Sequence, residues 1–573
     1  MSSTNTACHT TLVALAGTAL VGCASPFSTS KDDLGRIIPI ERLRTVASLD
    51  LEPAPPETAP DPLQAVSRFE GEQSVDLGLG EARASALANN LDLRVALVDP
   101  AIAQTQLTEQ EAAFDAVFFV DGRWANTDTP TASQLNANQQ EFGSLTPGFR
   151  LPLRTGGIAQ AQLPIQRVET NNQFATLNPA YTSDLELTLS QPLLEGAGRR
   201  IATHSIRIAS FERQIVESRT TLAVIAQLAA VDRAYWRLYA AWESLAVAQQ
   251  QLELAASQLE RAERQLDAGR VAEIEVIRAE AGVAERVEGV IVAENAVLRT
   301  QRELKRRVNA PGLGVRTDTL VLPETDPNPV RYDVDRQRML AAAMANRMEL
   351  LELELRLLAD AANIELAENR RLPTLDLDLT YRFNGLGEDL GDSFEQTAEN
   401  DFEDWAVGLR FETPIDNGQA RASLRRAVLT RLQRIGSQEA RQQTIRQEVL
   451  DAIDEIETAW QRILATRQSV VVNRRALEAE QRQFNLGRST TLDVLDAQAR
   501  FAQSELAEIQ SIVDYQIAQV ALAEATGTLL GAASVSWEPV PVVPIPVEQP
   551  PIEQASDSIT APRASATAPA DAG

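Results

Sequence analysis

Residues 484–498 read FNLGRSTTLDVLDAQ, and residues 266–280 read LDAGRVAEIEVIRAE at an offset of 218 positions. The same offset relates Ala241-Trp242-Glu243 to Ala459-Trp460-Gln461. Self-similarity at a fixed spacing is the sequence signature of a duplicated structural unit. The chain therefore contains two copies of one unit, each with a Gly-Arg turn.

Each copy contains a long helix whose apolar residues recur every seven positions. The sequence predicts these helices over 199–268 and 418–486, each roughly 100 Å long at ~1.5 Å per residue. Return helices are predicted over 271–309 and 490–530, and shorter helices over 80–112 and 335–370. A seven-residue period indicates coiled-coil packing, so two short helices placed end to end would flank each long one. The ladders are Leu238, Leu245, Leu252, Leu259 and Leu266 in the first copy, and Val449, Ile456, Ile463, Val470, Leu477 and Phe484 in the second.

Between the helices of each copy lie segments with a period of two, over about 115–192 and 374–414. Apolar residues alternate with charged or small ones along 375–383 and 405–412, and more loosely along 116–125 and 184–190. This pattern is typical of a membrane strand with lipid outside and water inside, although a half-buried hairpin of a soluble sheet alternates similarly. Pro192 and Pro414 end the second strand of each copy, because proline has no N–H for sheet pairing. The segment 127–180 fits either an extra hairpin or an external loop.

The amino terminus has the pattern of a secreted lipoprotein. An apolar run over 12–22 is too short to span a bilayer as a helix, and it is followed by Leu20-Val21-Gly22-Cys23, which resembles a bacterial lipobox. We expect a signal peptide over 1–22 and lipidation of Cys23, although residues 2–11 lack Lys and Arg. An ordinary secretory signal with an incidental cysteine is the alternative. Elsewhere no apolar run of about 18 residues occurs, so a membrane crossing would have to use strands.

The predicted organisation has two repeats joined and flanked by linkers. It consists of a signal peptide (1–22), a lipidated N-terminal linker or equatorial segment (23–79), the first repeat (80–310), a linker (311–334), the second repeat (335–531) and a proline-rich tail (532–573).

Composition argues against several functional classes. The chain of 573 residues has 53 Lys and Arg against 80 Asp and Glu, a net charge of −27, which disfavours nucleic-acid binding. Its two histidines and two cysteines are too few for a multi-histidine metal centre or a disulfide framework. No phosphate-binding loop or catalytic triad is recognisable. We therefore expect neither enzymatic activity nor a cofactor or metal.

Four membrane strands per chain do not close into a barrel, since open sheet edges in lipid leave backbone groups unpaired. The chain must therefore share its sheet with copies of itself. Two chains would give eight strands, and three would give twelve and leave room for water or cargo. The sequence alone does not decide between two and three copies.

The chain resembles the TolC-like outer-membrane efflux proteins, and in particular their lipoprotein branch, over about 80–536. The resemblance rests on the duplicated helix–hairpin–helix plan, on Ser190-Gln191-Pro192-Leu193-Leu194, and on Gly487-Arg488 followed by Asp493-Val494-Leu495-Asp496. It implies a mainly α-helical protein with membrane β-structure, whose homotrimer forms an α-barrel and a twelve-stranded transmembrane β-barrel. It also implies an outer-membrane channel-tunnel that extends into the periplasm and serves an inner-membrane efflux or secretion transporter through a periplasmic adaptor protein.

The resemblance also implies roles for residues near the two Gly-Arg turns. The turns would contact the adaptor, and an acidic ring at the periplasmic entrance would consist of Asp493 and Asp496. The family's gate latch matches positions 484 and 489, where this chain has Phe484 and Ser489, so the latch does not carry over; Glu275 is an acidic position that could pair with Arg488 of a neighbour. The implied adaptor contacts are Leu266, Gly269, Arg270, Leu486, Gly487 and Arg488.

Three plainer interpretations stay open from the sequence. The Gly-Arg turns could be helix stops without a partner, and Asp493 and Asp496 could be ordinary acidic residues at a helix N-terminus. The whole chain could also be a periplasmic coiled-coil lipoprotein that acts as an adaptor or scaffold, since heptads and a lipobox would serve that role equally well.

Overall fold

The computed structural model describes residues 68–130 and 137–533. The signal peptide, Cys23, most of the 23–79 segment and nearly all of the 532–573 tail lie outside the described residues. The helices are α1 Leu79–Asn89, α2 Leu91–Ala96, α3 Asp99–Ala112, α4 Arg199–Ala202, α5 His204–Asp267, α6 Glu273–Val308, α7 Arg336–Asn346, α8 Met348–Asn369, α9 Leu390–Glu399, α10 Gly418–Asn485, α11 Thr491–Ala525 and α12 Leu529–Ala532. The strands are β1 Ser74–Leu77, β2 Val117–Asp128, β3 Gln139–Pro152, β4 Ile158–Gln162, β5 Ile165–Thr170, β6 Ala180–Ser183, β7 Leu185–Pro192, β8 Leu320–Pro323, β9 Thr374–Phe383, β10 Leu386–Gly387 and β11 Glu403–Glu412.

The long helices lie where the seven-residue period predicts them. Helix α5 has 64 residues and α10 has 68, so each is roughly 100 Å long. The return helices α6 and α11 have 36 and 35 residues. Burial follows the ladder, because Leu238, Leu245 and Leu259 are buried in α5, and every residue from Val449 to Phe484 that was named in the second ladder is buried in α10.

The two shorter predicted helices are both interrupted. The helix predicted over 80–112 is divided into α1, α2 and α3. The first break lies at Asn90, whose backbone is extended and whose side chain caps α2 by accepting from the backbone N–H of Leu93 at 2.9 Å. The 335–370 prediction breaks at Arg347, whose backbone is extended between α7 and α8. At these breaks the side chains of Asn90 and Arg347 are buried.

The helices pack as a layer in which two shorter helices accompany each long one. Helices α3 and α6 lie along one side of α5, and α8 and α11 lie between α5 and α10. The flanks of this layer are therefore α3 and α6 on one side and α10 on the other. This is the end-to-end arrangement expected from the helix lengths.

The sheet is a continuous antiparallel meander. Strand β2 pairs with β3, β3 with both β4 and β5, β4 with β7, β5 with β6, β7 with β9, β6 with β10, and β9 with β11. Strands β4 and β5 form one interrupted row, as do β6 with β7 and β9 with β10. The described sheet is thus six rows wide.

Four of these rows contain the strands expected from the sequence, at β2, β7, β9 and β11. The expectation of only four strands per chain is corrected by β3, β4 and β5, which lie in the 127–180 segment and form an extra hairpin rather than an external loop. Their pattern was obscured because Gly143, Pro147 and Gly148 interrupt the apolar alternation of β3.

A line of irregular pairing crosses the sheet where the interrupted rows change strand. There the N–H of Leu163 donates to the carbonyl of Pro147 at 2.9 Å, and the N–H of Asp184 donates to that of Pro164 at 3.1 Å. The N–H of Asn384 likewise donates to Phe402 at 2.9 Å. Such breaks locally bend a sheet while the chain continues in the same direction.

A small parallel pair, β1 and β8, packs against the middle of α5. The buried Tyr235 hydroxyl donates to the carbonyl of Leu77 at 3.0 Å, and the indole of Trp242 donates to that of Val321 at 2.9 Å. These bonds fix the segments before the first repeat and after it to the same stretch of the long helix.

Candidate functional site

One face of the sheet presents an apolar surface that no described part of the chain covers. Trp405 is 70% exposed, Leu409 69% and Trp124 64%. A surface of this size on a sheet marks contact with lipid or with another protein. The register places the following residues on this face: Phe118, Val120, Trp124, Leu145, Phe149, Leu151, Leu185, Leu187, Leu189, Leu375, Leu377, Leu379, Tyr381, Phe383, Trp405, Val407, Leu409 and Phe411.

The aromatic residues of this face lie toward its two ends. Phe118, Phe149 and Phe411 lie at the end next to the helices, and Trp124, Tyr381, Phe383 and Trp405 lie toward the far end. Leucines occupy the middle of β7, β9 and β11. Aromatic girdles on either side of an aliphatic band are typical of strands that cross a membrane.

The opposite face of the same strands is polar, and its charges are paired across strands. Arg382 lies 3.1 Å from Glu186 and 3.8 Å from Asp404, and Arg410 lies 3.8 Å from Asp378. This face suits water rather than lipid, since charge in a hydrocarbon environment costs several kcal/mol. The two-sided character predicted from the period-two pattern is therefore present.

The sheet has two long edges without a partner in the described chain. Strand β2 pairs only with β3, and β11 pairs only with β9. Unpaired backbone groups along a long strand favour addition of another strand. Strand β2 follows α3, and β11 precedes α10, so the open edges of the sheet belong to the same two flanks as the edges of the helix layer.

The flanking helices also expose apolar side chains. On α10, Leu432 is 58% exposed and Leu464 is 52%, and on α6, Val292 is 61% exposed. These residues lie on helices that bury a separate apolar seam within the chain. Both flanks therefore present surfaces suited to packing against further helices.

The two Gly-Arg turns have the same geometry. Gly269 has φ +69 and Gly487 has φ +70. In the first turn, the N–H of Gly269 donates to Leu266 and that of Arg270 to Gln265, both at 2.8 Å; in the second, the corresponding bonds run from Gly487 to Phe484 at 2.9 Å and from Arg488 to Gln483 at 3.0 Å. This is the Schellman pattern of helix ends, in which glycine adopts the left-handed conformation.

The proposed adaptor contacts are exposed to different degrees. Gly269, Arg270, Gly487 and Arg488 are exposed, and Leu486 is 69% exposed, whereas Leu266 is half-buried. An exposed leucine beside an arginine offers apolar contact together with hydrogen-bond donors. The geometry of a helix stop accounts for the glycines, but it does not require the exposed Leu486.

The two acidic residues predicted for an entrance ring have local partners. Asp493 accepts hydrogen bonds from the Thr490 backbone N–H at 2.9 Å and the Thr490 hydroxyl at 2.7 Å, which completes a capping box for α11. The hydrogen bonds from Thr490 hold the pKa of Asp493 below its ordinary value. Asp496 is paired with Arg500 on the same helix. Both carboxylates therefore have structural partners at the helix start.

The predicted gate residues are not brought together within one chain. Glu275 accepts from the backbone N–H of Thr491 at 3.1 Å and lies 2.8 Å from Arg278, so it ties the start of α6 to the start of α11. Burial alone would raise the pKa of Glu275, but the hydrogen bonds from Thr491 and Arg278 outweigh it and lower that pKa. Phe484 is buried in the seam between helices, and Ser489 bonds to Glu480 and Asp493.

Sequence reasoning missed a charged cluster at the break between α7 and α8. Arg347 is nearly buried and lies 2.7 Å from both Glu349 and Glu448, while its guanidinium also donates to the carbonyl of Ala525 at 3.1 Å. Arg441 lies 3.0 Å from Glu349. The cluster joins the start of α8 and the middle of α10 to the end of α11, and no local sequence pattern signals it.

Within the described residues, none of the helices combines the length and apolarity that a bilayer crossing requires. No group of three or more His, Cys, Asp or Glu side chains in those ranges is arranged to hold a metal ion.

Comparison with known proteins identifies related sequences. Residues 339–528 match the family model described as "Outer membrane efflux protein". The chain is 25% identical over 305 residues to Outer membrane protein TolC of Vibrio cholerae, covering 52% of this chain and 67% of that protein. It is 24% identical over 441 residues to Outer membrane efflux protein BepC of Brucella suis, covering 73% of this chain and 90% of that protein.

Solved structures share the fold. The chain matches the outer membrane channel CmeC of Campylobacter jejuni with a TM-score of 0.59 at 16% identity, covering 84% of this chain and 94% of CmeC. It matches CusC with a TM-score of 0.58 at 18% identity, covering 84% of this chain and 99% of CusC. The resemblance and the TolC-like fold predicted from the sequence are thereby confirmed.

Proposed function

We propose, from the premise that this chain is a relative of the TolC-like outer membrane efflux proteins, that it forms an outer-membrane duct for efflux or secretion. One observation carries the proposal: a wide antiparallel sheet has one apolar and one charged face, and both of its long edges are unpaired. Such a sheet is stable in lipid only when its edges are closed. The matched proteins are membrane proteins and channels rather than enzymes.

The closing partners are further copies of this chain. The open edge of β11 would pair with the open edge of β2 in the next copy, and the exposed face of α10 would pack against α3 and α6 of that copy. Both contacts join the same two flanks, so one rotation closes the sheet and the helix layer together. The resemblance to the TolC-like proteins favours a homotrimer, which would enclose a water-filled lumen, with the barrel in the outer membrane and the helices extending into the periplasm.

Conduction through this lumen is passive. Energy for transport comes from an inner-membrane pump or secretion transporter, which is joined to the duct by a periplasmic adaptor protein. The adaptor contacts the Gly-Arg turns, where Leu486 supplies an apolar contact and Arg270 and Arg488 supply hydrogen-bond donors. Lipidation of Cys23 would add a second attachment to the membrane.

The helical turns also form the entrance. Three copies of Asp493 and Asp496 around one axis would attract cations, and Glu275 with Arg488 of a neighbour would hold the tips together. Phe484 contributes packing beneath this contact, since its ring is buried in the seam. Outward movement of the tips opens the entrance.

Detergent extraction tests this proposal against a periplasmic coiled-coil scaffold. A duct predicts a protein that requires detergent and runs as a heat-modifiable trimer on gels, even when Cys23 is replaced by serine behind a cleavable secretion signal. A protein that becomes water-soluble and monomeric when it lacks the lipid would contradict the duct and support the scaffold, because a scaffold needs no lipid-facing strands.

A further inference from the structure

The extra hairpin lies within the sheet rather than on top of it. Strand β3 pairs with β2 on one side and with β4 and β5 on the other, and β4 continues the pairing to β7. The hairpin therefore separates β2 from β7, and its removal would leave a gap two rows wide. A lid or external loop would leave β2 and β7 as direct neighbours.

The faces of the hairpin continue the faces of the neighbouring strands. The register joins Phe118, Phe149, Ala161 and Leu187 in one line on the apolar face. Arg150, Gln160 and Thr188 form the adjacent line on the polar face, where the Arg150 guanidinium donates to Gln160 at 3.3 Å. The hairpin thus has the alternation that a membrane-spanning wall requires.

The lower turn of the hairpin is attached where the long helix begins. The hydroxyl of Thr155 donates to the side chain of Gln191 at 2.8 Å, and the N–H of Gly198 donates to the carbonyl of Thr155 at 3.0 Å. Gly156 has φ +95, and a Cβ there would approach the carbonyl oxygen of Gly196 to 2.4 Å. The turn therefore lies against the junction between sheet and helices, at the height where the other strands also end.

General helix and strand spacings give six strand rows and four helix rows similar widths. Four helical rows about 9 Å apart are roughly 36 Å wide. Strands about 4.8 Å apart and tilted by about 40° each occupy roughly 6 Å of the circumference, so six rows occupy about 38 Å and four rows about 25 Å. Six strands therefore cover the helical layer, whereas four would force the ring to narrow.

We propose that the hairpin formed by β3 with β4 and β5 is a structural part of the barrel wall, so that three chains close a ring of eighteen strands instead of twelve. This inference rests on the proposed function, because it requires the sheet to close across three copies. The barrel is then about as wide as the helical tube, with a backbone diameter of roughly 36 Å instead of 24 Å. Such a barrel accepts bulkier solutes than a twelve-stranded one.

Cysteine labelling tests the hairpin directly. The variants Gln160→Cys and Ala161→Cys probe its polar and apolar faces, and Thr188→Cys and Leu187→Cys probe the directly paired positions on β7. The only native cysteines are Cys8 and Cys23. In membranes, a charged thiol reagent should label positions 160 and 188 at least tenfold faster than 161 and 187, while a lipid-soluble maleimide verifies that the slow positions carry a thiol.

The outcomes separate this inference from the function on which it rests. Alternation at 187 and 188 without alternation at 160 and 161 overturns the eighteen-stranded wall and leaves the duct standing. Loss of alternation at both pairs overturns the duct as well. Alternation at both pairs supports the wider ring.

A deletion of residues 139–170 measures the width. The deletion removes one upward and one downward row, so β2 and β7 can still pair antiparallel with Phe118 and Leu187 on the same face. Polymer-linked maleimides of increasing size, added from outside to Thr188→Cys, should be excluded at a smaller size in the deletion variant than in the full chain. An equal size limit in two assembled trimers overturns the inference; if the deletion variant does not assemble, the labelling at 160 and 161 decides.

Discussion

At the scale of single residues, the Gly-Arg turns depend on a backbone conformation that other residues rarely adopt. Gly487 has φ +70, and space for a Cβ is available, so Gly487→Ala adds conformational strain without a clash. We expect a loss of roughly 1 kcal/mol of stability. The midpoint of urea unfolding, followed by circular dichroism of the solubilised protein, measures it.

The matched control is Gly436→Ala in the exposed interior of α10. There alanine is the better helix former by about 0.5–1 kcal/mol, so the same substitution should stabilise the protein. Equal effects of the two substitutions would show that the turn imposes no special conformation at Gly487.

The cluster around Arg347 should make stability depend on pH. Burial alone would raise the pKa of Glu349, but hydrogen bonds from Arg347 and Arg441 lower it below the ordinary 4.5. A carboxylate whose pKa is lower in the folded state than in the unfolded state stabilises the fold fully at pH values above its unfolded pKa. This stability is lost as the pH falls through its folded pKa. Arg347→Met should therefore cost about 3 kcal/mol at pH 7, and less at a pH below the folded pKa.

Urea midpoints of wild type and Arg347→Met at neutral and acidic pH check this expectation. Arg347→Lys is the control, since lysine keeps the positive charge but not the forked donors of the guanidinium. Its urea midpoint should lie between those of wild type and Arg347→Met. A cost that does not change with pH would mean that Arg347 acts through packing alone.

Glu275 offers a residue-scale test of the tips. Glu275→Lys removes the acceptor of the Thr491 N–H and the partner of Arg278, and it opposes Arg488 of the proposed neighbour. We expect a higher single-channel conductance in planar bilayers, because the contact that holds the tips is lost. The control is Glu273→Lys, at an exposed position in the same helical turn, which should leave the conductance nearly unchanged. An unchanged conductance in Glu275→Lys would show that Glu275 does not hold the entrance closed.

At the scale of elements, β11 has two faces with different requirements. Leu409→Lys places a charge on the apolar face, where a lysine in a membrane barrel costs about 2–4 kcal/mol near the midplane. Ala406→Lys places the same charge on the polar face of the same strand. We expect Leu409→Lys to reduce the amount of heat-modifiable protein in the outer membrane severalfold and Ala406→Lys to leave it near wild type; equal losses would contradict a lipid-facing surface.

The helices were predictable from the sequence because each coiled-coil seam repeats the same requirement every seven residues. The strands β7, β9 and β11 were predictable because each strand carries its own alternation. Strand β3 lacks a clear alternation of its own, because glycines occupy positions where a side chain would collide with rings of β2. A Cβ on Gly143 would lie 2.6 Å from the ring of Trp124, and one on Gly148 would lie 2.5 Å from the ring of Phe119. Rings from β2 fill the space over these glycines, so the pattern exists only in the paired strands and not in either sequence alone.

Among the residues near the Gly-Arg turns, local contacts were likewise predictable from the sequence and long-range contacts were not. The spacing of Thr490 and Asp493 matches a capping box, so its geometry is a local property of the sequence. The bond from Thr491 to Glu275 joins residues 216 positions apart and depends on how α6 and α11 pack. Long-range contacts of this kind, like those of Arg347, follow from the packing of elements and leave no trace in the sequence around them.

At the scale of the whole molecule, closure of the ring is the property on which the function depends. The unpaired edges of β2 and β11 and the exposed faces of α6 and α10 lie on two flanks of one chain. A copy that joins one flank leaves the equivalent flank open, so assembly continues until the ring closes.

Single-channel recording of the purified, heat-modifiable protein in planar bilayers tests the duct most directly. A duct predicts discrete conductance steps whose size grows with salt concentration and which increase further in the Glu275→Lys variant. Trimers that insert into the bilayer and yet pass no ions, in wild type and in Glu275→Lys alike, would contradict it.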